Sequence, residues 1–100
     1  MEDDMLLIYE CVRKLEKFLK ENVKYFKVIV NTDTTISIRL VCEDEKLLEQ
    51  IENFCDVKIY LEEVYNYDEY KNDEFLKQSL DNKIDWSFKK RFDSFDYRKK

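Results

Sequence analysis

Two runs of strict alternation, joined by four turn-forming residues, most constrain what this chain can fold into. In residues 35–42 (TISIRLVC), Ile36, Ile38, Leu40 and Cys42 alternate with Ser37, Arg39 and Val41; in residues 23–30 (VKYFKVIV), Phe26, Val28 and Val30 form the matching set. A period of two places each set on one face of a pleated strand, so the pattern predicts a β-hairpin with one buried face. The connection, Asn31-Thr32-Asp33-Thr34, lacks the usual glycine, as does the whole chain, which also has no proline. A tight turn still needs a left-handed residue, and Asn31 or Asp33 is expected there, because short polar side chains tolerate that conformation.

Helical periods flank the hairpin. Met5, Ile8, Val12, Leu15 and Leu19, widened by Cys11 and Phe18, predict an amphipathic helix over 3–22. Asp3 or Asp4 can cap its start, and Glu16–Lys20 has the favoured i, i+4 order. Arg13, Lys17, Lys20 and Lys24 read as a basic stripe, more simply a solvated face than a phosphate track. Leu47, Leu48, Ile51, Phe54 and Cys55 predict a second helix over 43–55, whose first turn carries Glu43, Asp44 and Glu45 where the helix dipole favours acids. Glu45, Glu49 and Glu52 form an acidic ridge on its outer side.

A third strand is predicted over 57–61, with Val57, Ile59 and Leu61 inward. Its alternation breaks at Glu62-Glu63 and resumes out of phase at Val64 and Tyr65, the mark of a bulge or a strand end. Asn66 with Glu69 three residues later forms a capping-box pattern for a short helix, and Asn72 or Asp73 can start another over 73–81, where Phe75, Leu76, Ser79 and Leu80 repeat helically. Ile84, Phe88, Phe92 and Phe95 suggest a C-terminal helix, with an extended start at Trp86-Ser87-Phe88 as the alternative.

One hundred residues suit a single domain, read as an α-β-β-α-β-α core over 1–85 and a basic, aromatic segment over 86–100. A crossover through the second helix would lay strand three beside strand one. The expected α+β fold is therefore a small antiparallel three-stranded sheet, order 2-1-3, with helices on one face: an incomplete ferredoxin-like layout. A partly exposed opposite face leaves a homodimer open.

Glycine, alanine, proline and histidine are all absent, while Lys, Asp, Glu, Ile, Phe, Tyr and Asn abound, as AT-rich coding produces. The net charge of −5 is unevenly spread. Residues 1–42 balance; residues 43–85 hold fourteen acids against five bases; residues 86–100 hold two acids against six bases. The acidic middle repels nucleic acid, which leaves 86–100 as the sole stretch suited to bind it, through aromatics interleaved with bases. MEDDMLLIYE does not read as a signal peptide, no window is apolar enough to span a bilayer, and Cys11, Cys42 and Cys55 all fall on apolar phases. The chain is expected to be cytoplasmic, with three free thiols.

Little supports catalysis. Without histidine no Ser-His or Cys-His pair can form, and without glycine there is no phosphate-cradling loop. Asp33, Glu43 or Asp44, and Asp56-Val57-Lys58 faintly echo a metal-dependent nuclease, at spacings that forty-one charged residues produce by chance. No catalytic residue, metal site or cofactor is expected.

What remains is residues 57–75, VKIYLEEVYNYDEYKNDEF, where tyrosines crowd among carboxylates. Tyr60, Tyr65, Tyr67 and Tyr70 would supply rigid contact area, and Glu62, Glu63, Asp68, Glu69, Asp73 and Glu74 a negative field, for docking on a basic protein surface. Carboxylates so arrayed imitate the phosphates that a basic groove expects. In size and composition the chain is similar to the small acidic inhibitors carried by phages and other mobile elements, such as anti-CRISPR proteins. It is similarly comparable to immunity proteins that block a basic nuclease toxin. The resemblance implies a non-enzymatic, viral or mobile-element inhibitor of a basic nucleic-acid-binding protein. The alternatives are an immunity protein and a nucleic-acid-binding module using 86–100.

Overall fold

The computed structural model describes residues 2–87, with side chains from Leu6 onward. Its elements are α1 (Glu2–Asn22), β1 (Phe26–Val30), β2 (Ile36–Val41), α2 (Glu45–Glu52), β3 (Ile59–Tyr65), α3 (Tyr67–Lys71), α4 (Glu74–Ser79) and β4 (Ile84–Trp86). The expected C-terminal helix over Phe88, Phe92 and Phe95 lies outside the described residues.

The hairpin forms as its alternation dictates: β1 and β2 pair antiparallel, with Val28 opposite Ile38 and Val30 opposite Ile36. Phe26, Val28, Val30, Ile36, Ile38 and Leu40 are all fully buried, packed under Ile8, Val12, Leu15 and Leu19 of α1. Burying a side chain of this size contributes about 1.5–3 kcal/mol, so this layer dominates the fold. The turn is closed by Thr34 N–H donating to the Asn31 carbonyl (3.1 Å) and Asn31 N–H donating to the Thr35 carbonyl (2.8 Å). The left-handed residue is Thr34 (φ 68°), not Asn31 or Asp33. Asp33 instead uses its carboxylate to accept from the Thr35 N–H and hydroxyl (3.1 and 2.6 Å), which leaves the αL position to the next residue.

The sheet is four-stranded and mixed, order β3-β2-β1-β4, which corrects the expected antiparallel three-stranded order 2-1-3 and its incomplete ferredoxin-like layout. β3 lies parallel to β2, not beside β1: α2 carries the chain across the sheet and returns it next to the strand it left, the ordinary result of a strand–helix–strand unit. The edge beside β1 is taken by β4, parallel to it, with Ile84 opposite Val28 and Trp86 opposite Val30. Ile84-Asp85-Trp86 is therefore strand and not the start of a helix. The Trp86 ring rests 5.5 Å from that of Tyr9 on α1.

Helices lie on both faces, not one. Ile51 of α2 joins the α1 core, and Phe54 meets Phe18 of α1 at 5.2 Å. Val41 and its register partner Tyr65 point opposite to Leu40, and there they pack with Tyr70, Leu76 and Leu80 from the α3–α4 region.

The expectation of three free thiols is also corrected. Cys11 and Cys55 are joined in a disulfide, with Cα atoms 6.3 Å apart, and Cys42 is free. Both half-cystines fall on core-facing phases of their segments, and the packing of the chain just after α2 on α1, with Phe54 against Phe18, makes them neighbours, which spacing along the chain does not reveal.

Candidate functional site

The segment from β3 to α4 follows one edge of the sheet and then folds over its less covered face. β3 runs through the Glu62-Glu63 break instead of ending there: the register shifts between Ile38 and Arg39 of β2, where Leu61 faces Ile38 and Glu63 faces Arg39. The extra residue is Glu62, whose carboxylate accepts from Arg39 Nε at 2.6 Å. That hydrogen bond, with the charge behind it, holds the Arg39 guanidinium above its ordinary pKa.

At the end of β3, Tyr65 is half-buried and its hydroxyl donates to Glu63 at 2.5 Å. Burial, then the bond to Glu63 and its negative charge, push the Tyr65 pKa up to about 12. Asn66 and Glu69 form the anticipated capping box: Glu69 N–H donates to Asn66 Oδ1 (2.8 Å) and Asn66 N–H to Glu69 Oε1 (2.9 Å). Asp73 caps α4, accepting from Phe75 and Leu76 N–H (2.9 and 3.3 Å). Glu69 and Asp73 are thus committed to helix starts.

The four tyrosines divide. Tyr60 is 49% exposed and Tyr67 51% exposed. Tyr70 is only 8% exposed and stacks on Tyr25 at 4.1 Å, so it fastens α3 to the sheet and offers no ring to a partner. Burial first, then the neighbouring Tyr25, raises its pKa. The Lys58 ammonium sits 5.7 Å from the Tyr60 ring centroid. Tyr67 N–H donates to Glu43 (3.1 Å), which ties the α3 start to the chain just before α2.

Asp68 is exposed in the first turn of α3, and Glu74 is exposed with its oxygen 3.8 Å from Lys77 Nζ. Among the described residues, Glu62 and Glu74 are the only carboxylates between Glu43 and Glu74 in ion pairs. The exposed members of the segment are Tyr60 and Glu63 along β3, and Tyr67, Asp68 and Glu74 in α3 and α4, with Glu43 tied to the start of α3.

Phe75 is exposed as well. It shares a helical repeat with Leu76, Ser79 and Leu80, yet it is 73% exposed while Leu76 and Leu80 are buried. α4 has only six residues, and one narrow stripe, Leu76 to Leu80, satisfies its contact with the sheet. An apolar residue beside that stripe, in a helix too short to wrap the core, was the available signal.

Beside Tyr60 lies an open cleft of about 660 Å³, lined in part by Asn31, Asp33, Ser37, Lys58 and Glu62. Among the described residues no group of three or more His, Cys, Asp or Glu is placed to hold a metal ion. Asp44, one member of the nuclease-like spacing, is the N-cap of α2, accepting from Lys46 and Leu47 N–H. No helix among the described residues is long and apolar enough to cross a membrane. No family model, curated protein or solved structure matches the chain.

Proposed function

We propose that this protein is an acidic, non-enzymatic inhibitor of viral or mobile-element origin that acts in the cytoplasm, docking its β3–α4 surface on a basic, nucleic-acid-binding protein. The observation that carries the reading is the exposure of Tyr60, Tyr67 and Phe75 in the segment that also exposes Glu63 and Asp68, neither of which is in an ion pair among the described residues. Exposed rings add buried area on contact, and exposed carboxylates steer a basic groove towards them. Tyr65, Glu69, Tyr70 and Asp73 hold that surface in shape; Tyr60, Glu63, Tyr67, Asp68 and Glu74 would touch the partner.

Mimicry of nucleic acid makes a specific demand: the partner must use one groove for both ligands. Proteins captured from a bacterial lysate on immobilised inhibitor should be basic nucleic-acid handlers, eluted by short duplex DNA at constant ionic strength. Capture that duplex DNA leaves intact would remove the mimicry reading.

A further inference from the structure

The α2–β3 connection, residues 53–58, is held in an unusual way. Asn53 N–H and Phe54 N–H bond back to α2, and the Lys58 carbonyl accepts from Ile36 N–H at 2.9 Å, where β3 begins. Between those points Cys55, Asp56 and Val57 make no backbone–backbone hydrogen bond among the described residues. Three side chains tie the segment down: Phe54 against Phe18, Val57 against the core, and Cys55 bonded to Cys11 of α1. Cys11 is buried, whereas Cys55 is only half-buried, so Cys55 is the half-cystine that a soluble reagent reaches more readily.

We propose that Cys11 and Cys55 form a reversible dithiol/disulfide couple that latches the α2–β3 connection to α1 and opens and closes by thiol–disulfide exchange with a low-molecular-weight thiol. Closing starts at the accessible sulfur. The Cys55 thiolate attacks a small-molecule disulfide, whose S–S bond breaks and releases one thiolate. Cys11 then attacks the Cys55 sulfur of the mixed disulfide and displaces the second small thiolate. Two protein thiols lose two electrons and two protons, and one small disulfide becomes two thiols. Opening is the reverse. With no ladder bonds at 55–57, release frees a short stretch of chain and leaves the hairpin core packed, as local opening does elsewhere. The latch is independent of what the acidic surface binds.

The test uses the full chain carrying Cys42→Ser, so that the remaining two thiols report alone. The protein is equilibrated in glutathione buffers from fully reduced to fully oxidised, quenched with N-ethylmaleimide and weighed intact. Unmodified and doubly alkylated species should interconvert in one two-electron step. The Asn53 and Phe54 amides, bonded back to α2, should exchange about tenfold faster in the reduced form, while β1 and β2 stay protected over the same labelling times. Single glutathionylation of each cysteine in the oxidised buffers, equal exchange of the Asn53 and Phe54 amides in both forms, or loss of protection across β1 and β2 would each overturn the latch.

Discussion

Asn82 and Phe26 are bound through two hydrogen bonds: Phe26 N–H donates to Asn82 Oδ1 at 2.9 Å, and Asn82 N–H donates to the Phe26 carbonyl at 2.8 Å. Asn82 adopts the left-handed conformation (φ 61°), and its Nδ2 also donates to the Lys24 carbonyl at 2.8 Å. This clasp sits where the chain turns into β4, so it sets the parallel register of β4 on β1. Asn82→Gly keeps the backbone conformation and loses both side-chain bonds, which should cost about 1–2 kcal/mol. Asn82→Ala should cost about 1 kcal/mol more, because alanine resists the left-handed region. Urea unfolding of the three proteins checks the order.

Thr34 is the residue least suited to its place. It is β-branched and holds φ 68° at the hairpin turn, where glycine or asparagine is the ordinary choice. Thr34→Gly should stabilise the protein by about 1 kcal/mol, the relief of that conformation outweighing the greater freedom of glycine in the unfolded chain. A lower urea midpoint than wild type would show that the Thr34 hydroxyl bond to the Asp33 carbonyl matters more than the backbone.

Tyr65 couples the acidic surface to pH. Its pKa is raised from about 10 to about 12, so the folded protein holds this proton more tightly than the unfolded chain does. The corresponding stability is fully present below pH 10 and is lost as pH rises towards 12. Alkaline titration followed by tyrosinate absorbance should show a group near 12 that is missing from Tyr65→Phe, and the variant's stability should fall less steeply over that interval.

Two of the carboxylates between β3 and α4, Glu69 and Asp73, serve helix starts, and the loss of these caps should be felt in folding. Asp73→Ala removes the bonds to Phe75 and Leu76 N–H and should cost about 1 kcal/mol. Asn66→Ala breaks the capping box and should cost a similar amount. Asp68→Asn, at an exposed position that caps nothing, should leave the thermal midpoint unchanged. Thermal unfolding of the three variants separates the roles.

Local patterns were legible in the sequence where each rests on a few neighbouring residues. The Phe26–Val30 and Ile36–Val41 alternation, the α1 stripe, the Glu62-Glu63 break and the Asn66–Glu69 box all appear in the structure. Pairings between distant segments were not legible. Ile84 and Trp86 alternate over only three residues, too few to separate a strand from a helix whose later members are Phe88 and Phe92. Once the edge beside β1 belongs to β4, β3 falls beside β2, and one unread strand changes the whole sheet order. The Cys11–Cys55 bridge and the Tyr25–Tyr70 stack likewise join residues whose adjacency is a product of packing. The tyrosine cluster was visible as composition, but which rings face out depends on where α3 and α4 land.

The exposed rings and carboxylates of β3 to α4 are proposed as a docking face. Its most direct test is a variant carrying Tyr60→Ala, Tyr67→Ala, Asp68→Asn and Glu74→Gln, changes that leave the capping residues Asn66, Glu69 and Asp73 in place. Binding of the captured partner to wild type and variant is compared by calorimetry, after circular dichroism has shown that the variant is folded. The expected result is at least about a hundredfold loss of affinity, on the scale of two hot-spot residues. Affinity equal to wild type in the folded variant would contradict it.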